Sequence, residues 1–153
     1  MQLIPRPAAP ADVRLYFDWA NDPATRRQSF HSEPIPFETH ERWFTNKLND
    51  PNALLLLFET DAGEAVGQVR FERSETETVV GVSLDARFRG RGLASDLIRR
   101  GCTVCRDRWP NVPIFAYIKR DNGASVRAFE RAGFRFSHES GKFGVPSVVY
   151  RSE

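Results

Sequence analysis

Residues 80–95 read VGVSLDARFRGRGLAS, and this stretch combines the patterns of a strand, a turn and a helix. Val80, Val82 and Leu84 alternate with small or polar residues, which is the pattern of a β-strand. Glycines and arginines then turn the chain, and a helical pattern follows Gly92. Backbone N–H groups at a helix start have no partner within the helix and lie at its positive end, so they bind anions where side chains are small. The stretch therefore predicts a strand, an anion-binding turn and a helix, in that order.

The side chains of the turn are compatible with an anion-binding site and with a plain connector. Gly90, Gly92 and Ala94 would let a phosphate approach the amides, while Arg89 and Arg91 would add positive charge. No Gly-Lys-Ser/Thr sequence of a P-loop occurs, and a dinucleotide fingerprint lacks its third glycine, so both of those motifs fail. A plain strand-to-helix connector with solvated arginines fits the same residues.

Along the whole chain, hydrophobic patterns predict one mixed α/β domain over residues 1–153. Strands are expected at residues 3–6, 53–60, 65–73, 77–84, 112–118, 134–138 and 147–151. Helices are expected at about residues 13–20 and 37–48, at 93–106, and around 124–132. This order predicts a mixed, mostly antiparallel sheet of about seven strands with helices on both faces.

Composition and charge limit the classes of function. With 41% hydrophobic and 27% charged residues, the chain has the composition of an ordinary globular protein. The net charge of +2 is too small for a surface that must neutralise many nucleic-acid phosphates. We therefore expect no nucleic-acid partner, although the arginines that cluster within residues 87–108 leave room for a local anion site.

The N-terminal residues lack the apolar segment of a secretory signal, and the longest apolar run, residues 53–58, is too short to cross a bilayer. We expect a cytoplasmic protein with no membrane partner. Cys102 and Cys105 are spaced C-x-x-C, a pattern of redox sites and of half zinc sites. Because no histidine has a matching spacing, we favour small buried side chains on a helix and expect no metal.

With the residues downstream of it, the turn resembles the GNAT acyltransferase superfamily. The cofactor motif of that family, Q/R-x-x-G-x-G/A, matches residues 89–94, RGRGLA. A second similarity covers Asn122, Ser125 and residues 128–134, AFERAGF, which look like the stretch leading into the family's helix beside the pantetheine arm. The order of elements also agrees over nearly the whole chain.

The resemblance implies acetyl-CoA-dependent N-acetyl transfer to a small-molecule primary amine. It implies that the strand ending at Val82 and Leu84 parts from the strand at 112–118, and that pantetheine lies in the gap like an added strand. The N–H of Leu84 would polarise the thioester carbonyl. The pyrophosphate would lie on Arg89, Gly90, Arg91, Gly92, Leu93, Ala94 and Ser95, and Asn122, Ser125 and Phe129 would complete the cofactor site.

One position departs from the family's pattern. Many members carry Tyr where this chain has Phe129, and that hydroxyl is thought to protonate the leaving thiolate. Phe cannot donate a proton, so the general acid is left unassigned; water, Ser125 or Tyr117 could serve instead. A role for Phe129 in helix packing alone also fits.

Amine attack needs a neutral nitrogen, so a base is expected on the acceptor side. Gln68, Arg70 and Glu72 alternate with apolar residues and share one face of a strand, where they would line a wet cleft. Glu72 is the candidate base, unless it pairs with Arg70 or lies at an exposed edge. His31 and Glu33 are weaker alternatives.

Residues 26–33, RRQSFHSE, occupy the segment in which family members usually build acceptor specificity. With residues 21–23, His40, Trp43 and residues 67–71, this segment looks like GNAT enzymes that act on nucleotide-linked amino sugars, including those of pseudaminic and related nonulosonic acid pathways. Arginines would bind the acceptor's phosphates, and aromatic rings would stack on its base or sugar. The candidate acceptor-binding residues are Arg26, Phe30, His31, Trp43 and Arg70.

Two other functions remain open at this level. A protein or peptide N-acetyltransferase would need an open groove in place of a closed pocket. A non-catalytic acyl-CoA-binding module is compatible with Phe129, which has no hydroxyl. The sequence also leaves open whether the chain is a monomer or a homodimer.

Overall fold

A computed structural model describes residues 2–152. The helices are α1 Val13–Ala20, α2 Pro23–Gln28, α3 Phe37–Leu48, α4 Ala94–Arg108 and α5 Gly123–Arg131. The strands are β1 Leu3–Pro7, β2 Ala53–Thr60, β3 Ala65–Arg73, β4 Thr78–Leu84, β5 Ile114–Lys119, β6 Arg135–Ser140 and β7 Ser147–Ser152. Two short 3-10 turns, Pro10–Asp12 and Ala86–Phe88, precede α1 and follow β4.

The seven strands form one sheet in the order β1-β2-β3-β4-β5-β7-β6. Every neighbouring pair is antiparallel except β4 and β5, which are parallel. The prediction of a mixed, mostly antiparallel sheet of about seven strands is confirmed.

The parallel pair is joined at one end only. Thr78 pairs with Ile114 and Val79 pairs with Phe115, and the pairing of β4 with β5 stops there. By contrast, β4 pairs with β3 along its whole length, from Thr78 to Leu84. The two strands therefore part beyond Val79 and Phe115, as predicted, and leave a gap in the middle of the sheet.

Helices cover both faces of the sheet, which was also predicted. The larger core cluster packs α4 and α5 against one face, with Val69, Phe71 and Ile98 at its centre. Helix α4 approaches β3 so closely that a Cβ on Gly101 would lie 3.1 Å from Cγ1 of Val69. The smaller cluster packs α1 and α3 on the opposite face, around Tyr16 and Phe44.

Helix α2 was not predicted. Asp22 begins it by accepting hydrogen bonds from the amides of Ala24 and Thr25, at 3.1 and 3.2 Å, and Pro23 occupies its first turn. An acidic N-cap followed by proline is a recognised helix start, but apolar spacing predicted no helix between residues 20 and 37. Among strand boundaries, β5 begins after Pro113 instead of at Val112, because proline has no N–H to donate to a ladder.

Cys102 and Cys105 lie in α4, are unpaired with each other, and point into the larger core cluster. Burial raises the pKa of Cys102 to about 12 and that of Cys105 to about 11. Among residues 2–152, no group of three His, Cys, Asp or Glu side chains could hold a metal ion. None of the described helices combines the length and the apolar character needed to span a bilayer.

Candidate functional site

The edge of β4 that faces the gap carries free backbone groups. The amide of Asp85 donates to the carbonyl of Val66 on β3, at 2.8 Å. Because successive residues of a strand direct their N–H and C=O groups to opposite sides, those of Val80, Val82 and Leu84 are directed toward β5. Since β5 has already parted from β4 at these positions, an extended ligand could bond to Val82 and to the amide of Leu84 as an added strand would. The carbonyl of Leu84 already accepts a hydrogen bond from Arg89.

The turn after β4 presents unbonded amides. Gly90 and Gly92 have φ angles of 76° and 73°, and Leu93 returns to the right-handed region with φ −81°. A left-handed residue next to a right-handed one points successive N–H groups into one concavity, which is an anion-binding arrangement. Within residues 2–152, no acceptor is found for the amides of residues 90–96, and the first bonded amide is that of Leu97.

Space as well as hydrogen-bonding capacity is available at this turn. A Cβ added to Gly90 or to Gly92 would meet no atom within 4 Å. The glycines are therefore explained by the positive φ angles, not by close packing against another part of the chain. The arrangement fits a pyrophosphate, which needs several N–H donors and room to approach them.

The arginines of the turn have different positions. Arg89 donates to Asp22 at 2.8 Å and to the carbonyl of Leu84 at 3.0 Å, so its guanidinium ties α2 to the end of β4. Arg91 is exposed and lies 5.2 Å from the centre of the Phe88 ring. Of the two predicted anion partners, Arg91 is the one whose guanidinium has no hydrogen-bond acceptor within the described chain.

On the α5 side, the predicted residues lie in one helix. Asn122 is its N-cap and accepts a hydrogen bond from the amide of Ser125, at 3.2 Å. Phe129 is buried and packs against Phe134, with ring centres 5.0 Å apart. Packing therefore explains the ring of Phe129, and the structure provides no hydroxyl at that position.

On the opposite face, β3 presents the expected polar row toward α3. Glu72 forms an ion pair with Lys47 of α3, at 3.1 Å, and its side chain is 40% exposed. Gln68 donates to Ser83 of β4 at 2.8 Å. The candidate base Glu72 thus lies one strand away from the gap with its carboxylate paired.

Arg70 lies between α3 and the gap. Its guanidinium covers Gly81 of β4, since a Cβ on Gly81 would be 2.9 Å from Cζ of Arg70. The same Cζ lies 5.9 Å from the centre of the Trp43 ring. Within residues 2–152 this guanidinium has no hydrogen-bond or ion-pair partner. It is a half-buried cation with the capacity to bind an anionic group.

The segment after α2 folds over the same face. Arg26 donates to the carbonyls of His31 and Glu33, at 2.7 and 3.2 Å, so its guanidinium is used to shape the segment. Phe30 stacks on Phe143 of the β6–β7 loop, with ring centres 4.5 Å apart. His31 is exposed, whereas Phe30 and Arg70 are half-buried and the guanidinium of Arg70 is not used to shape the segment.

A cluster that was not predicted as a unit lies where the strands part. Tyr117 of β5 donates to Oε1 of Glu77 at 2.7 Å, and Lys142 of the β6–β7 loop donates to Oε2 at 3.0 Å. Although burial acts to raise the pKa of Glu77, these two hydrogen bonds hold it below its usual value. Burial and the bond to Glu77 raise the pKa of Tyr117. We call these three residues the junction cluster.

Comparisons with known proteins agree on one family. A family model described as an acetyltransferase (GNAT) domain matches residues 2–135. A mycothiol acetyltransferase of Mycobacterium sp. (strain JLS) is 30% identical over 102 residues, which are 63% of this chain and 32% of that protein. The L-amino acid N-acetyltransferase AaaT of Escherichia coli (strain K12) is 24% identical over 122 residues, 76% of this chain and 74% of the relative. The chain thus spans about a third of the length of the mycothiol acetyltransferases it matches.

Solved structures share the fold at low identity. Aminoglycoside acetyltransferase AAC(6')-Ib in complex with coenzyme A superposes with a TM-score of 0.85 at 17% identity, covering 99% of this chain and 94% of the other. Spermidine N-acetyltransferase from Vibrio cholerae, in complex with coenzyme A and spermine, gives a TM-score of 0.83 at 21% identity, with coverage of 98% and 93%.

Proposed function

The chain belongs to the GNAT acetyltransferase family, and on that premise we propose that it transfers an acetyl group from acetyl-CoA directly to a primary amine of a small molecule. The observation that carries this proposal is the pair of features at the end of β4: amides without acceptors at residues 90–96 beside a gap between β4 and β5. A pyrophosphate and an extended arm are the two ligand parts that such a turn and such a gap accept. Acetyl-CoA contains both.

We assign the cofactor contacts by position. The amides of Gly90, Gly92 and Leu93 to Ser95 hold the pyrophosphate, and Arg91 adds charge from the exposed side. Arg89 acts indirectly, since its guanidinium pairs with Asp22 and donates to the carbonyl of Leu84. The chain's contribution to this part of the site is a set of prearranged donors, which need no reorganisation when an anion arrives.

Val82 and Leu84 would hold the arm of the cofactor from the β4 side, and Asn122, Ser125 and Phe129 would hold it from the α5 side. When bound, acetyl-CoA supplies the activated acyl group. The amide of Leu84 is directed into the gap, where it donates to the acyl carbonyl oxygen and favours the negative charge that develops there. Glu72, paired with Lys47, remains a candidate for accepting the amine proton.

The finer proposal concerns the acceptor, for which we infer a nucleotide-linked amino sugar. It is supported by Arg70, a half-buried guanidinium without an acidic partner in the described chain, which matches a phosphate or another anionic group. Trp43 and Phe30 provide aromatic surfaces on the same face, on which a base or sugar ring could stack. Mycothiol, aminoglycoside and spermidine acetyltransferases among the relatives and structural neighbours are named for small-molecule acceptors.

Thiol release from acetyl-CoA tests the proposal. The purified chain is mixed with acetyl-CoA and, in separate reactions, with nucleotide-linked amino sugars, free amino sugars, polyamines, amino acids and peptides. Release that depends on a small amine supports the proposed function, and preference for the nucleotide-linked sugars supports the finer one. Release with peptides only would favour a peptide N-acetyltransferase, and cofactor binding without release under any acceptor would favour a non-catalytic module.

A further inference from the structure

The junction cluster has contacts that the cofactor and acceptor sites described above do not use. Glu77 directly precedes β4, and Tyr117 is the second residue of β5 beyond Phe115, where pairing ends. The hydrogen bond of 2.7 Å between them therefore crosses the point at which the two strands part. A phenol and a carboxylate therefore close the inner end of the gap.

The cluster faces the acceptor side. Ile114, Ala116 and Ile118 of β5 belong to the core beneath α4, so Tyr117, which alternates with them, is on the other face. Its ring makes an edge contact with Phe143, whose centre is 5.4 Å away, and Phe143 stacks on Phe30. The phenol is thus shared by the end of the gap and the wall of the acceptor cleft.

We propose that the Tyr117 hydroxyl accepts the proton of the attacking amine and passes its own proton to Glu77, which Lys142 keeps ionised. This inference rests on the proposed acetyl transfer and names the group that handles the acceptor's proton. Tyr117 is the catalytic residue in this scheme because it touches the amine, and Glu77 and Lys142 are positioning residues. Donation to a carboxylate makes a phenol oxygen a better acceptor, since linked hydrogen bonds strengthen one another.

The atoms balance without any further reactant. The amine nitrogen forms a bond to the acyl carbon, and the bond from that carbon to sulfur breaks, with the electron pair leaving on sulfur. One proton moves from nitrogen to the oxygen of Tyr117 while the Tyr117 proton moves to Oε1 of Glu77. Glu77 then returns a proton to solvent, and the thiolate takes one from solvent.

Charged groups around Glu77 set the pH range of the relay. Lys142 contacts it directly, and the charge of His138 on β6 also favours the ionised carboxylate. The side chain of Glu77 is 19% exposed, so a path to water exists. Because the pKa of Glu77 lies below its ordinary value, the relay has an ionised acceptor throughout the neutral range.

Kinetics of single variants test the relay. Tyr117→Phe keeps the ring but removes the hydroxyl, and we expect kcat to fall by about 10²-fold, the lower range for a lost acid–base group, with unchanged affinity for CoA. Lys142→Gln should move the acid limb of the kcat profile to higher pH, because Glu77 then loses a cationic partner. The matched control is Tyr150→Phe, which removes a phenol that donates to Glu130 at 3.2 Å, outside the acceptor cleft, and should leave kcat unchanged.

The outcomes separate the relay from the proposed function. Undiminished kcat in Tyr117→Phe, or an equal loss in Tyr150→Phe, would overturn the relay while thiol release by the parent chain upheld the acetyl transfer. A pH limb that moves in Glu72→Gln and not in Lys142→Gln would assign the proton to Glu72 and also overturn the relay. Absence of thiol release by the parent chain with every amine would overturn both together.

Discussion

Gly92 and Gly63 have similar backbones but different neighbours. Their φ angles are 73° and 85°, and a Cβ on either would meet no atom within 4 Å. Gly92 lies among the unbonded amides after β4, whereas Gly63 lies in the turn between β2 and β3 and donates its amide to Thr60. Substitutions at the two positions therefore distinguish the effect of backbone strain on stability from the effect on anion binding.

We expect Gly92→Ala and Gly63→Ala each to lower the free energy of unfolding by about 1–2 kcal/mol, because a left-handed backbone is strained for alanine. Only Gly92→Ala should weaken the binding of CoA. Its methyl group enters the space that the pyrophosphate needs, and relaxation of the backbone strain moves the amides. Calorimetric titration with CoA and thermal melts of both variants measure the two effects. Equal CoA affinity in the two variants would contradict the assignment of the turn.

Arg70 allows a second test at a single residue. Arg70→Gln removes the unpaired guanidinium above Gly81, so KM for an anionic acceptor should rise by about tenfold or more, as expected for a lost charge-assisted hydrogen bond. The KM for acetyl-CoA should stay constant because the turn is separate. Steady-state kinetics with an acceptor and its uncharged analogue measure this, and the same loss with both acceptors would argue against anion recognition.

Local patterns predicted most of the elements because each carries its own signal. A continuous apolar run predicted β2, alternation predicted β3 and β4, and apolar spacing located α1, α3 and α4, since these patterns are visible within a few residues. Helix α2 was missed because its signal lies in capping by Asp22 and not in an apolar stripe. The junction cluster could not be found this way, because its hydrogen bonds join residues 40 and 65 positions apart in sequence.

Helix α2 also depends on pH through its cap. Burial acts to raise the pKa of Asp22, but the hydrogen bond from Arg89 and those from the amides of Thr25 and Ala24 outweigh it and lower the pKa. A carboxylate with a lowered pKa in the folded state contributes stability above its unfolded pKa of about 3.9, and this contribution is lost as the pH falls through the folded value. The ion pair with Arg89 should therefore stabilise the folded chain at neutral pH and lose this effect in acid.

Asp22→Asn keeps a side-chain acceptor for the helix but removes the charge. We expect it to lower the free energy of unfolding at pH 7 by about 0.5–1 kcal/mol, a value reduced by the partial exposure of both partners. In acid, below both pKa values, the parent and the variant should converge. Urea unfolding across this pH range measures the difference, with Asp61→Asn in the exposed β2–β3 turn as the control.

The molecule is built on one sheet that has a hydrophobic core on each face and an unpaired stretch between β4 and β5. The cores beneath α4 and beneath α3 are complete on either face, yet β4 and β5 leave their facing edges unpaired beyond Val79 and Phe115. The two halves of the sheet are thus joined there by few hydrogen bonds. A ligand that bonds to both edges would join them, so binding and folding are linked.

CoA at a hundred times its dissociation constant should stabilise the folded chain by about 2.7 kcal/mol. For a chain of this length that corresponds to a rise in Tm of roughly 5–10 °C, at about 2–4 °C per kcal/mol. Pantetheine, which lacks the pyrophosphate, should give a much smaller rise at the same concentration. Melting curves with each compound measure this, and equal shifts would show that the turn at residues 90–96 contributes nothing.

The burial of Cys102 and Cys105 determines how transfer can be followed. Aromatic disulfide reagents that release a yellow anion react with thiolates, and these two sulfurs are both enclosed and held in the protonated form. The native chain should not react with such a reagent during an assay. The absorbance would then measure the released coenzyme A without correction for the protein's own thiols. A slow colour that appears in the absence of acetyl-CoA would instead report the opening of α4 from the sheet.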